Sequence, residues 1–412
     1  MKPTRRGWGL AGLALGCYFF ANQTQVGWLY VLSALAAALL LATWGLPHRM
    51  LRGLRPSRLV NGAALAVEPN PAAGDSLTVT LTLTNTGRLP ALQVTGVETC
   101  APAPAADRTL PLFIPFLATG QAAPLTYAVT CARRGWFPFG PVRLASRAPF
   151  GFWAAQRLAP VEGPEGVLIF PETRPLTRLD LFDRAPAVEA SLARAGVGGE
   201  FLGVREYRPG DPPRHVHWRT TARAGRLVVR EFAEEQQPAL TLALDLSAAA
   251  RLGGEDDNTL ELGIKLAASL ARHAHERGLP VTLLTNNPAW PAPAGPVSEW
   301  ALLNYLARVE AGGSESLGDA LLRVSAGTFV AAVLPAPDPD TLAPLAGLRQ
   351  RALGVLAVLV DPHPFTGDGG LGIEARRLAG DLEAAGVAVR LIGASPHWDK
   401  ALTDGEAREA QA

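Results

Sequence analysis

The sequence predicts a mixed protein: an N-terminal transmembrane helical hairpin, a small β-sandwich-like domain, and a C-terminal doubly wound α/β domain. Three features carry that expectation. The first 46 residues hold two apolar stretches, the following segment alternates apolar and polar residues, and beyond residue 239 uninterrupted apolar runs alternate with helical stretches. A chain of 412 residues also exceeds what one hydrophobic core organises.

The hairpin is expected over residues 7–46. Val26 to Leu46 carries no charge and, as a helix, would rise roughly 31 Å, close to the hydrocarbon thickness of a bilayer. Trp28 and Tyr30 near one end and Trp44 near the other suit the two interfaces. Gly7 to Ala21 is apolar but shorter, and Asn22-Gln23-Thr24-Gln25 predicts a tight loop between the two stretches. A signal peptide competes with this reading, but Ala21 lies in no small-x-small cleavage pattern and the second stretch would still anchor the chain. Lys2, Arg5 and Arg6 precede the first stretch, and His48, Arg49, Arg52, Arg55 and Arg58 follow the second. With no charge between them, both ends are expected on the cytoplasmic side of a cell membrane.

The β domain is expected over 59–170. Leu77, Val79, Leu81 and Leu83 alternate with threonines, the pattern of a half-buried antiparallel strand, and Asn85-Thr86-Gly87-Arg88 supplies a turn. Further strands are predicted at Leu92–Val97, Leu125–Cys131 and Val142–Ser146. Cys17, Cys100 and Cys131 are too sparse for a disulfide framework or a zinc site, and Cys131 reads as a small buried hydrophobe.

Residues 196–236 form a dense segment. Arg205, Glu206, Tyr207, Arg208, Pro209, Gly210, Asp211 and Arg214 lead to Trp218, Arg219, Arg223 and Gly225. Pro209-Gly210-Asp211 is a turn by its chemistry, and Leu227-Val228-Val229 reads as a strand. Mutual pairing accounts for most of the charges, with Asp211 and Glu206 held by neighbouring arginines and Trp218 stacked under a guanidinium. The functional alternative is an exposed interaction patch formed by Arg205, Glu206, Tyr207, Gly210, Asp211, Arg214, Trp218, Arg219 and Arg223. His215-x-His217 would place two imidazoles on one side of a strand, but no further metal ligands are evident. A nucleic-acid surface is disfavoured, because acidic residues dilute the local charge and 38 Lys+Arg against 37 Asp+Glu leave a net charge of only +1.

Residues 239–395 predict a parallel sheet. Buried strands are expected at Leu240–Leu244, Val281–Leu284, Phe329–Leu334, Val355–Val360 and Val387–Ile392. Helices are expected near Thr259–Glu276, Glu299–Val309, Leu317–Val324, Thr341–Arg351 and Ile373–Ala385. Residues 403–412 read as a polar tail. The sequence has no Walker A run, no G-x-S-x-G and no H-E-x-x-H, so phosphotransfer, serine hydrolysis and zincin chemistry lack their usual signatures.

The run Arg205 to Glu231, with Glu234, Glu235 and the strand after them, resembles the bacterial domain-of-unknown-function family fifty-eight. Arg133 to Trp153 resembles it too, as does the order of the parts. The resemblance implies a membrane-anchored protein with a von Willebrand factor A-like domain, linked to MoxR-type AAA+ ATPases in a chaperone or assembly role. It implies no enzymatic activity. Such domains carry a metal-ion-dependent adhesion site of the form DxSxS with later Thr and Asp residues. Here Asp245 and Ser247 stand at the first two positions, Ala249 replaces the second serine, and Gly312 to Ser316 replaces the threonine loop, with Ser314 and Ser316 undecided. Pro335-Ala336 stands where the later Asp is expected. Mg2+ would find few ligands in this set, so no cofactor is expected, and Asp245 otherwise reads as the cap of a turn. The expected function is a non-enzymatic, membrane-tethered scaffold or adaptor. The alternative is a divalent-metal-dependent adhesion or enzymatic module built on the degenerate site.

Overall fold

Thr4 starts the first helix, α1 (Arg5–Thr24), by accepting the Gly7 N–H on its side-chain oxygen at 3.1 Å. In the computed structural model, which describes residues 1–61, 70–104, 108–177, 179, 181, 201–208, 211–232 and 238–403, α1 continues through the polar tetrad instead of stopping before it. Thr24 Oγ1 donates back to the Phe20 carbonyl at 2.7 Å, and Gln25 ends the helix in the left-handed conformation (φ 59°). α2 (Gly27–Thr43) folds back along α1: Ser33 Oγ donates to the Ala14 carbonyl at 2.8 Å, and the Tyr18 and Tyr30 rings meet edge to face at 6.2 Å. A short α3 (Leu46–Arg52) follows. The helical stretch Gly27–Arg52 is long and apolar enough to cross a membrane. Only 11% of its apolar window is buried in the protein, unlike a helix serving a soluble core.

The chain divides into two units, Met1–Pro171 and Glu172–Ala412. Among the described residues the first contains these helices and ten strands. They are β1 (Lys2–Pro3), β2 (Leu54–Val60), β3 (Ser76–Asn85), β4 (Ala91–Thr99) and β5 (Thr109–Leu117). β6 (Ala122–Thr130), β7 (Gly135–Pro138), β8 (Val142–Ser146), β9 (Trp153–Ala159) and β10 (Gly166–Ile169) complete the set. Among the described residues they form sheets ordered β1-β9-β8-β4-β5, β2-β3-β6 and β10-β7. Leu77, Val79, Leu81 and Leu83 of β3 are at most 1% exposed, so the leucine face that the alternation marks is the core face. The β region begins at Leu54, ahead of residue 59, with Leu54, Arg58 and Val60 all buried on β2. β5 is an edge strand, and Pro111 and Pro115 remove ladder donors from it.

Inside this unit lies an ion pair that the alternation pattern does not mark. Arg58 and Glu98 are each 2% exposed, and the guanidinium donates Nε and Nη2 to Glu98 Oε1 at 3.0 and 2.6 Å. Nη2 also donates to the Gly140 carbonyl, Tyr127 Oη donates to Glu98 Oε1 at 3.3 Å, and the Phe139 ring lies 4.4 Å from the guanidinium carbon. Burial pushes the Glu98 carboxyl above its usual range and Arg58 pulls it back. All three cysteines are free and buried, so Cys100 and Cys131 form no bridge, and burial pushes both of their thiols up.

The second unit opens with an antiparallel pair, β11 (Phe201–Glu206) and β12 (Val228–Phe232). Its main sheet contains β13 (Leu240–Leu244), β14 (Val281–Thr285), β15 (Pro296–Val297), β16 (Phe329–Leu334), β17 (Gly354–Val360) and β18 (Ala388–Ile392), ordered β15-β14-β13-β16-β17-β18. All neighbours in it are parallel except the β14–β15 pair. Phe329, Ala331 and Val333 pack into one core with the helices Thr259–Glu276 and Glu299–Arg308. Val330, Ala332 and Leu334 pack into another, with Leu317–Leu321, Leu342–Leu348 and Gly369–Ala384. Both faces are buried, which is why these strands read as continuous apolar runs. The last of these helices starts at Gly369, ahead of Ile373, because Asp368 caps it by accepting the Gly370 N–H at 2.8 Å.

Removing one partner of the buried pair strands the other. Arg58→Met is expected to destabilise the first unit by about 3–5 kcal/mol, read as a shift in chemical unfolding of the full chain in detergent. Arg58→Met with Glu98→Leu should recover most of that loss.

Candidate functional site

Numbered within its own sheet, the second unit has strand order 3-2-1-4-5-6, so the connections reverse direction between β13 and β16. Ligand crevices in such sheets open beyond the carboxyl ends of the strands at that reversal. Asp245 follows β13 directly, Asn286 follows β14, and Asp338 lies four residues past the end of β16. Asp245 is 2% exposed. Its Oδ1 accepts the Ser247 N–H at 2.9 Å and the Asn286 amide at 2.7 Å, and its Oδ2 accepts the Ser247 hydroxyl at 3.3 Å. Asn286 is fixed in turn, accepting Leu246 N–H on Oδ1 at 2.8 Å and donating Nδ2 to the Glu315 carbonyl at 2.7 Å.

The Asp245–Ser247 contact is therefore a local turn with a buried carboxylate, closed by an amide. Ser316, rather than Ser314, reaches the crevice: its hydroxyl donates to Asp338 Oδ2 at 2.7 Å and accepts the Gly318 N–H at 3.1 Å. A second acid follows Pro335-Ala336 all the same, because the chain continues through Pro337 to Asp338, whose charge acts on Asp245. The acid is displaced along the loop, and strand-relative spacing could not find it. Asn286 was missed as well, because an asparagine after a buried strand reads as a turn residue.

These donors suit a divalent cation poorly as they stand. One Asn286 amide hydrogen points at the carboxylate oxygen a cation would use, and the orientation of the amide is fixed by two further hydrogen bonds. Among the described residues no three His, Cys, Asp or Glu side chains gather into a group able to hold a metal ion.

The second candidate is the arginine-rich hairpin. Arg205 holds Asp211 with two bonds of 2.9 and 2.8 Å, and the Arg208 N–H adds a third at 2.8 Å. Arg205 thereby keeps the Asp211 carboxyl below its usual range. Arg226 meets Glu206 at 3.4 Å, with both side chains exposed. Tyr207 continues the hairpin, its N–H donating to the Leu227 carbonyl at 3.0 Å. Gly210 lies outside the described residues, as do Pro209, Glu234, Glu235 and most of the polar tail.

His215 and His217 do not share a strand. His215 sits in the 3-10 turn Pro213–His215, and His217 caps the helix Trp218–Ala224, its Nδ1 lying 2.8 Å from Thr220 Oγ1 and 3.2 Å from the Thr220 N–H. The His-x-His reading expected both rings on one side of a strand, and a 3-10 turn followed by a helix cap stands there instead. Trp218 lies under no guanidinium among the described residues; it is 68% exposed, and Arg214, Arg219 and Arg223 are exposed too. The segment 201–232 holds seven arginines against Glu206, Asp211 and Glu231, a local charge of +4 in a chain of net charge +1.

Burial pushes the Asp245 carboxyl above its ordinary value of 3.8; the Ser247 and Asn286 donors oppose this and Asp338 adds to it. The folded unit then holds the Asp245 proton more tightly than the unfolded chain does. This group's contribution is most favourable below 3.8 and declines as pH rises through the raised folded value. Asn286→Leu removes an opposing donor and should steepen that decline, with a cost of about 1–3 kcal/mol at neutral pH. Denaturant unfolding of the full chain at pH 4.5 and 7.5 checks it, and a wild-type slope would refute it.

No curated protein matches this sequence. Among solved structures, a mutant of the PilB minor pilin from Streptococcus sanguinis is 7% identical, with 76% of this chain and 85% of that one covered at a TM-score of 0.28. An inactive mutant of the GH20 exo-β-N-acetylglucosaminidase from Vibrio harveyi is 10% identical at a TM-score of 0.21. The match covers 48% of this chain and only 27% of that enzyme. Likeness at this level carries no argument about fold or function. Residues 203–326, spanning the arginine hairpin and the front half of the α/β sheet, match the family described as protein of unknown function DUF58, which supports the resemblance carried by Arg205 to Glu231.

Proposed function

We propose that this chain is a non-enzymatic, membrane-tethered scaffold. Its von Willebrand A-like unit presents a protein-binding surface on the cytoplasmic side, where a MoxR-type AAA+ ATPase engaged in protein or complex assembly is the partner. The observation that carries this reading is the exposed aromatic and arginine side chains of the segment between the two hairpin strands. Trp218 is 68% exposed, its sequence neighbours Arg214, Arg219 and Arg223 are exposed as well, and Arg205 and Asp211 pair with each other. Rigid aromatic and arginine side chains of this kind are the usual anchors of protein interfaces. The apolar stretch Gly27–Arg52 supports the tether, and basic residues at the start of α1 and after α2 support a two-span hairpin with both ends inside.

A second reading, a divalent-cation module, draws on Ser316 and Asp338, which bring a second hydroxyl and a second carboxylate towards Asp245 and Ser247. It requires a cation to displace the Asn286 amide. Calorimetric titration of the full chain with Mg2+ and Mn2+ separates the two readings, since millimolar binding that Asp338→Ala abolishes would favour the second.

For the scaffold, affinity capture of the full chain from detergent-solubilised membranes with nucleotide present should recover an AAA+ ATPase. Trp218→Ala with Arg219→Ala should cut that recovery about tenfold or more. Capture that yields no AAA+ protein, or that ignores the double substitution, refutes the assignment.

A further inference from the structure

We propose that the first unit binds a phosphate group, supplied by an anionic lipid headgroup, in a cavity at the start of α1. The cavity has a volume of about 670 Å3 and is walled by the chain entering α1, by Gln93 of β4, and by the loop Arg147 to Ala154. Its charged lining is Arg5, Arg6 and Arg147, with no carboxylate. Among the described residues none of these three arginines forms an ion pair, and all three are exposed. Three cations gathered around one hollow repel each other unless an anion joins them. Guanidinium forks match phosphate oxygens in pairs, which makes phosphate the fitting occupant.

The walls are fixed before any ligand arrives. β1 pairs with β9, with Lys2 opposite Ala154 and Pro3 opposite Trp153. Thr4 donates its N–H to the Phe152 carbonyl at 2.9 Å and its hydroxyl to the Gly151 carbonyl at 2.5 Å. A Cβ on Gly7 would collide with the Phe152 carbonyl oxygen, so α1 can lie this close only with glycine there. Gln93 drops out of the β4–β5 ladder opposite Pro115, with φ 47° and the register unchanged on either side, and it lines the cavity. Arg5 and Arg6 are thus held opposite Arg147 by backbone pairing.

The surroundings favour a lipid over a soluble phosphate. Phe150 at the rim is 53% exposed and Trp8, one turn into α1, is 68% exposed. Acyl chains would cover such rings, whereas water leaves them bare. The same loop reaches the end of α2, since Trp153 Nε1 donates to the Leu40 carbonyl at 3.0 Å. The cavity therefore sits where both helices meet the β domain, and basic pockets at that level suit anionic headgroups. The lipid source rests on the reading of Gly27–Arg52 as a membrane helix; the phosphate chemistry does not.

The test uses the delipidated full chain in detergent with two probes. Native mass spectrometry follows retention of phosphatidylglycerol against phosphatidylcholine, and calorimetry follows inorganic phosphate. Phosphatidylglycerol retention should exceed that of phosphatidylcholine and fall about tenfold or more in Arg6→Gln/Arg147→Gln, while Arg88→Gln behaves as wild type and all variants melt together. Phosphate binding that the double substitution abolishes, without lipid preference, would support the site but assign it to a soluble phosphate. That result, together with recovery of the chain in the soluble fraction, would refute the membrane reading alone. Binding in neither arm, or binding that the double variant retains, overturns the proposal.

Discussion

A helix leaves its last carbonyl oxygens without helical donors, and in the first unit one strand satisfies two helices at once. Trp153 Nε1 donates to the Leu40 carbonyl near the end of α2, and Arg157 Nη1 donates to the Leu51 and Arg52 carbonyls that end α3, at 2.8 and 3.1 Å. Trp153, Ala155, Arg157 and Ala159 share one face of β9, with the alanines buried and the polar groups at helix ends. Small residues let α3 approach the sheet, and the guanidinium also meets the negative end of its dipole. The direction in which the helices leave the β domain follows from these contacts. So does the meeting of α1 with the loop from Arg147, because β1 and Thr4 bind the neighbouring Gly151 to Ala154 segment.

The second unit meets the same demand with side-chain amides and carboxylates. Beyond β13 and β14 the backbone leaves the sheet at depth, and water is scarce there. Asn286 accepts from Leu246 and donates to Glu315, tying three loops together. Asp245 and Ser316 play corresponding parts, the first turning its own chain and the second starting the helix Leu317–Leu321. The crevice at the reversal of strand order is thus held together by polar contacts within the chain.

How much of this could be read from sequence depended on whether a residue's role is local. Leu77 to Leu83 declare a core face by period, and Phe329 to Leu334 declare burial on both faces by continuity; neither needs knowledge of a distant partner. β5 escaped notice because Pro111 and Pro115 look like turn signals, although on an edge strand they are admissible. Arg58 read only as one of the basic residues after the second apolar stretch, and nothing singled out Glu98, because the justification of each is the other, forty positions apart. Arg157 was hidden for the same reason, its acceptors lying on a helix about a hundred residues earlier. The histidines misled in the opposite sense. His-x-His suggests two rings on one side only if the backbone is extended, and the prolines before it set a 3-10 turn instead. Trp218 was expected under a guanidinium because arginines surround it in sequence, yet helical geometry spreads them over the surface.

Asp245 shows why a partial motif is weak evidence for the ion it resembles. A buried carboxylate needs compensating positive potential, but a divalent cation is only one source of it. The Ser247 N–H, the Ser247 hydroxyl and the Asn286 amide supply partial charges from fixed directions, and they soften the effect of burial without cancelling it. An amide delivers less potential than a cation, and it cannot leave. Its two other bonds keep the loops assembled at all times, whereas an ion would make their order depend on its concentration. A crevice closed in this way keeps one shape that depends on no ion concentration.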